Sequence, residues 1–129
     1  MKVNEAMHAP VITVTPHNSL QETLEIMRDN NLRRLPVLEG NELVGIIVQH
    51  DIEKALRRPG TIYESPVDWV MTKTPIYTIE PGASIVEAAR MMKDLKISAI
   101  PVVEAERLVG IISDTDILEI FISIMERDK

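Results

Sequence analysis

The stretch Gly110-Ile111-Ile112-Ser113-Asp114-Thr115-Asp116 ends an apolar run with a hydroxyl and, three positions on, a carboxylate. Two chemistries fit that spacing. A carboxylate at the first turn of a helix can accept hydrogen bonds from both hydroxyls of a ribose, and Ser113 can add one to the sugar or an α-phosphate. The unpaired amides of the helix start favour nearby anionic charge. The same Ser-x-x-Asp spacing also describes an ordinary helix cap, in which both side chains serve the backbone.

A related stretch, Gly45-Ile46-Ile47-Val48-Gln49-His50-Asp51, keeps the carboxylate but has Val48 where the hydroxyl belongs. A site there is expected to be weaker or empty. His50 falls opposite Thr115 and can be read as a sugar or phosphate contact, or as an exposed first-turn residue. Arg33 and Arg34 precede Leu35-Pro36-Val37. Their planar guanidinium forks suit phosphate oxygens, with Lys96 as an assisting point charge. They also follow a helix expected to end near Asn30-Asn31, whose negative end favours cations. Catalysis finds little support: His8, His17 and His50 lack metal-ligand spacing and are expected at the surface, and no glycine-rich phosphate loop or nucleophile motif is present. Glu104/Glu106 and Asp114/Asp116 read as hairpin and cap residues rather than an acid–base pair. No catalytic residue, metal or cofactor is expected.

The elements that must position these residues can be read locally. Val11–Val14 and Ile76–Ile79 are short, β-branched and closed by Pro16 or Pro81, which predicts strands. Ser19-x-x-Glu22 and Ser84-x-x-Glu87 predict reciprocal capping boxes at helix starts. Leu20, Leu24 and Met27, and Ile85, Ala88, Ala89 and Met92, are the core-facing stripes of those helices. Residues 35–38 and 43–48 predict a hairpin across Glu39-Gly40-Asn41-Glu42, repeated across Glu104-Ala105-Glu106-Arg107. A last helix is predicted near Asp51 and again near Asp116. The order is β-α-β-β-α, twice.

The chain is internally duplicated. An offset of 65 positions aligns residues 10–56 with 75–121 without a gap, pairing Pro10/Pro75, Ser19/Ser84, Glu22/Glu87, Pro36/Pro101, Asp51/Asp116 and both LVGII blocks. Upstream, Val3 and Met7 match Val67 and Met71 at an offset of 64. Residues 1–58 therefore form one copy, 59–66 a linker with Pro59-Gly60 and Pro66, and 67–129 the second copy. Trp69 is expected to anchor the start of the second copy. The net charge of −6 and only four aromatic residues argue against nucleic acid as a partner. The absence of a long apolar run argues against a membrane span, and the absence of cysteine fits a cytoplasmic location.

Taken together, Val67-x-x-x-Met71, Pro81 to Ala88, Ile97-Ser98-Ala99-Ile100-Pro101-Val102-Val103 and Leu108 to Asp116 resemble the CBS (cystathionine beta-synthase type) domain family over nearly the whole chain. The resemblance implies an α+β fold with α/β-like order: two pseudo-two-fold related β-α-β-β-α repeats, packed sheet to sheet. It also implies a regulatory module that catalyses nothing and senses an adenine nucleotide or adenosyl compound. Asp116 and Ser113 match the family's ribose signature, with Thr115 beside them. Arg33 and Arg34 resemble the basic pair that meets phosphates in the nucleotide-binding gamma subunit of AMP-activated kinase, so that phosphate and ribose contacts would come from different copies. The adenine would fall to apolar residues and backbone near Pro75, Ile76, Tyr77 and Ile100. A homodimer through a C-terminal stripe of Ile117, Phe121 and Ile124, and a regulated protein partner, are further expectations. The alternative is a structural interaction module with empty clefts.

Overall fold

The computed structural model describes residues 1–73 and 76–127; Pro75 lies outside them. In chain order the elements are α1 (Leu20–Asn30), β1 (Arg34–Glu39), β2 (Glu42–Val48), α2 (Gln49–Leu56), β3 (Thr72–Lys73), α3 (Ile85–Leu95), β4 (Ala99–Glu104), β5 (Arg107–Ser113) and α4 (Asp114–Arg127). One-turn 3₁₀ helices occupy Val3–Glu5 and Val67–Trp69.

Local chemistry explains these boundaries. At α1, Ser19 Oγ accepts from the Glu22 amide at 3.0 Å while Glu22 Oε1 accepts from the Ser19 amide at 3.3 Å, the expected box. At α3 the box is one-sided: Ser84 Oγ accepts from the Val86 amide at 3.1 Å, one position earlier than its partner in α1. Both helices stop at a left-handed residue, Asn31 at φ 54° and Lys96 at φ 56°. Leu20 and Met27 of α1, and Ile85, Ala88 and Met92 of α3, are buried, so the apolar stripes face the cores as their spacing predicts.

Both hairpins form. β1 and β2 pair antiparallel with Leu35 opposite Ile47 and Val37 opposite Gly45; β4 and β5 repeat this with Ile100 opposite Ile112 and Val102 opposite Gly110. The second turn holds Ala105 and Glu106 at φ 51° and 66°, where the first uses Gly40 at φ 63°. The strands expected over Val11–Val14 and Ile76–Ile79 reduce to single parallel bridges, Val14 with Val37 and Ile79 with Val102. Proline is the reason. Pro10, Pro16 and Pro81 lack donors and fix φ, and the partner strands carry Pro36 and Pro101, which can accept but not donate.

The chain divides into two compact units that differ from the sequence copies. One unit joins Met1–Val11 to the chain from Tyr77 onward, and the other is Ile12–Ile76. The leading segments decide this. In the first unit the Val3 amide donates to Ala83 O at 2.8 Å and the Asn4 amide to Pro81 O at 3.0 Å; in the second the Val67 amide donates to Asn18 O at 2.8 Å and the Asp68 amide to Pro16 O at 3.0 Å. Val3 and Val67 are each fully buried in the unit so formed. Each unit has its own core, one around Leu20, Met27, Leu35, Val37, Ile47 and Ile52, the other around Ile79, Ala88, Ile100, Val102 and Ile112. Residues 59–66 are tied down: Ser65 O accepts from the Leu20 amide and Tyr63 O from the Gln21 amide, both at 2.9 Å. Trp69 is not the expected anchor. It is 67% exposed, and Val67 and Met71 fill the core instead, because a one-turn 3₁₀ helix cannot turn both Val67 and Trp69 inward.

Candidate functional site

Strand β5 runs directly into α4, and the junction fixes Ser113 and Asp116. Asp116 Oδ2 accepts from the Ser113 amide at 2.8 Å and from Ser113 Oγ at 3.0 Å. Ser113 Oγ in turn lies 3.4 Å from the Asp116 amide. Serine and aspartate thus form a reciprocal cap, one of the two readings of their spacing. The cap holds a carboxylate that is only 4% exposed in one orientation at the positive end of a 14-residue helix.

The other carboxylate oxygen has a partner that spacing did not suggest. His8 Nε2 lies 2.7 Å from Asp116 Oδ1, with the imidazole itself 67% exposed. The leading segment delivers it: the His8 amide donates to Ile111 O at 2.9 Å and the Ile111 amide to His8 O at 3.1 Å, an antiparallel bridge along β5. Gly110 makes the approach possible, since a Cβ there would lie 3.1 Å from His8 O and 3.0 Å from Met7 Cγ. His8 is indeed at the surface, but it is engaged. The signal was present in part: the duplication sets His8 against Thr72, a departure between copies, yet nothing local names Asp116 as its partner.

The corresponding junction in the other unit is simpler. Asp51 is half-buried in the first turn of α2, whose cap position, Val48, makes no side-chain cap bond. Thr72 pairs with Ile46 as His8 does with Ile111. His50 is exposed.

The remaining candidates scatter by environment. Thr115 is exposed in the first turn of α4, its amide donating to Asp114 Oδ1 at 2.8 Å. Lys96 caps α3 and lines a groove of about 490 Å³ with Lys93, Ser98, Asp114 and Ile117. Arg33 is exposed before β1 and its carbonyl accepts from the Gln49 amide at 2.8 Å; Arg34, half-buried, opens β1. Tyr77 is exposed and Ile76 half-buried. Ile100, on β4, is fully buried in the core with Ala88, Val102 and Ile112. Ile117, expected on an outward stripe with Phe121 and Ile124, packs with Ile120 against the core. The outward residues of α4 are Leu118, Phe121, Ile122, Ile124 and Met125, because the helix turns about 100° per residue and residues 117 and 120 already face in.

Among the described residues no helix is long and apolar enough to cross a membrane, and no group of three or more His, Asp or Glu side chains is placed to hold a metal ion.

Comparison with known proteins matches this geometry. The CBS domain family model matches residues 3–58 and again 67–123. The chain is 34% identical to the uncharacterised protein MJ1404 of Methanocaldococcus jannaschii, covering 92% of this chain but 31% of that protein. It is 30% identical to the CBS domain-containing protein YhcV of Bacillus subtilis, covering 89% of this chain and 81% of YhcV. The solved CBS domain pair of protein MJ0100, in complex with methylthioadenosine and S-adenosyl-L-methionine, superposes with a TM-score of 0.87 at 30% identity, over 95% of this chain and 97% of that one. Two family matches spanning nearly the whole length, on α+β units with the same order of elements, show that the chain belongs to the CBS domain family as a tandem of two repeats.

Proposed function

We propose that this tandem is a regulatory module that binds an adenine nucleotide or another adenosyl compound, with the ribose held by Asp116. The observation that supports this reading most is the carboxylate itself. It is buried, oriented by Ser113 and placed at a helix start, an acceptor already set in position for ribose hydroxyls. The adenosyl ligands of the MJ0100 domain pair support the ligand class. Arg33 and Arg34 are the proposed phosphate contacts, with Lys96, Thr115 and His50 as auxiliary polar groups. Backbone near Pro75, Ile76 and Tyr77 is proposed for the adenine. Asp51 serves a weaker second site. The module acts by binding in the cytoplasm, and a partner protein reads the bound state.

A thermal-shift and calorimetric panel of AMP, ADP, ATP, methylthioadenosine and S-adenosylmethionine tests this. A binder at 100 times its Kd raises stability by about 2.7 kcal/mol. Asp116→Ala is expected to abolish binding and Asp51→Ala to weaken it far less; equal losses, or no binder in the panel, would overturn the reading.

A second reading, an interaction module with no ligand, is favoured by α4, where Phe121 is 59% and Leu118 59% exposed beside Ile122, Ile124 and Met125. A soluble domain seldom leaves such a contiguous apolar face uncovered. The proposed cover is a second copy of the chain.

A further inference from the structure

Asp116 is already occupied. A carboxylate offers roughly four acceptor positions, and three are engaged: two by Ser113 and one by His8. Ser113 contacts the carboxylate from within the β5–α4 junction, through a backbone amide fixed by that junction and a hydroxyl that also caps the helix. His8 contacts it from a different segment, through the side of Oδ1, with an imidazole two-thirds exposed to solvent. A sugar that presents two hydroxyls to this carboxylate must therefore take the position of His8.

We infer that His8 is an internal competitor for the ribose-binding carboxylate, so that the ligand displaces the imidazole and removal of the imidazole strengthens binding. This rests on Asp116 being the ribose acceptor. The sugar can bind only after the His8 contact is broken, so the contact lowers the observed affinity. The other unit lacks the device, since Thr72 stands where His8 stands and carries no imidazole.

The groove of about 330 Å³ beside Asp116 is lined by Met1, Glu5, Glu119 and Arg127. His8→Ala removes the imidazole and leaves these groups in place.

The probe is methylthioadenosine, which has the ribose and no phosphate. Calorimetry is expected to show His8→Ala binding about two- to fivefold more tightly than wild type, the range of a solvent-screened pair. His8→Gln, which keeps a neutral donor of similar reach, is expected to fall between the two. Independently, the NMR resonances of the His8 ring are expected to shift in Asp116→Asn and on saturation with methylthioadenosine. Binding that requires Asp116 yet is unchanged by His8→Ala overturns the competitor and leaves the ligand site standing. Binding that ignores Asp116→Ala, or no binding in any variant, overturns the ligand site and the competitor with it. A His8 ring resonance unmoved by Asp116→Asn overturns the pair directly.

Discussion

Three glycines separate the two physical reasons for glycine in this fold, closeness and backbone sign. Gly45 lies in β2 opposite Lys73 of β3. A Cβ built on it would fall 2.6 Å from Met71 Sδ, 3.1 Å from Met71 Cγ and 2.8 Å from Thr72 O. The methionine can swing, although it is 9% exposed and part of the core. The Thr72 carbonyl cannot move without its strand, whose neighbours pair with Gly45 and Ile46. Gly45→Ala is therefore an overpacking substitution, expected to cost about 1–3 kcal/mol. Gly40 has open space but φ +63°, and Gly40→Ala is expected to cost about 1 kcal/mol from backbone sign alone. Gly82 has neither constraint, and Gly82→Ala is expected to stabilise by about 0.4–1 kcal/mol by restricting the unfolded chain. Urea unfolding followed by far-UV circular dichroism is the suitable assay, because the sole tryptophan, Trp69, is too exposed to report core loss well. A Gly45→Ala variant within about 0.5 kcal/mol of wild type, or a Gly82→Ala variant as damaged as Gly45→Ala, refutes the close-approach reasoning.

Replacing Ala105-Glu106 by Asn-Gly is expected to raise stability by about 1 kcal/mol in the same assay, since both positions hold positive φ in a two-residue hairpin turn. Arg33→Gln with Arg34→Gln is expected to weaken AMP about ten- to a hundredfold and leave adenosine unchanged, as measured by calorimetry; equal affinities for AMP before and after would reduce the arginines to helix-end charges. The hydrogen bond from Asn18, then those from the Ser19 amide and side chain, hold the Glu22 carboxyl below its ordinary value. The α1 box thus stabilises above the ordinary carboxylate range and is lost as pH falls through the lowered Glu22 value, and Asn18→Ala is expected to raise the Glu22 titration seen by NMR. Phe121→Glu with Ile124→Glu is expected to convert a dimer to a monomer in light scattering at micromolar concentration, and a monomeric wild type would refute the proposed second copy on α4.

Much of this fold is legible in the sequence because its signals are local. The Ser19 box, the stripes of α1 and α3, both hairpin turns and the Ser113–Asp116 cap all operate across three to seven residues, the range over which spacing dictates contact. The duplication then carried each element over to its twin and led to the family. Where prolines removed the donors, the same local reading overstated strands at Val11–Val14 and Ile76–Ile79. The partners of the leading segments depend instead on long-range packing. Val3 is buried with Ile79, Ile100 and Ile112 rather than with the copy it begins, and that choice brings His8 to Asp116. Spacing could mark the carboxylate as a cap or a ribose acceptor, but only the route of the chain supplied the imidazole that fills its second oxygen. The same limit explains Trp69 and Ile117. Their residue types suggest an anchor and an outward stripe, but which side of a 3₁₀ turn or a helix meets the core depends on where that element docks.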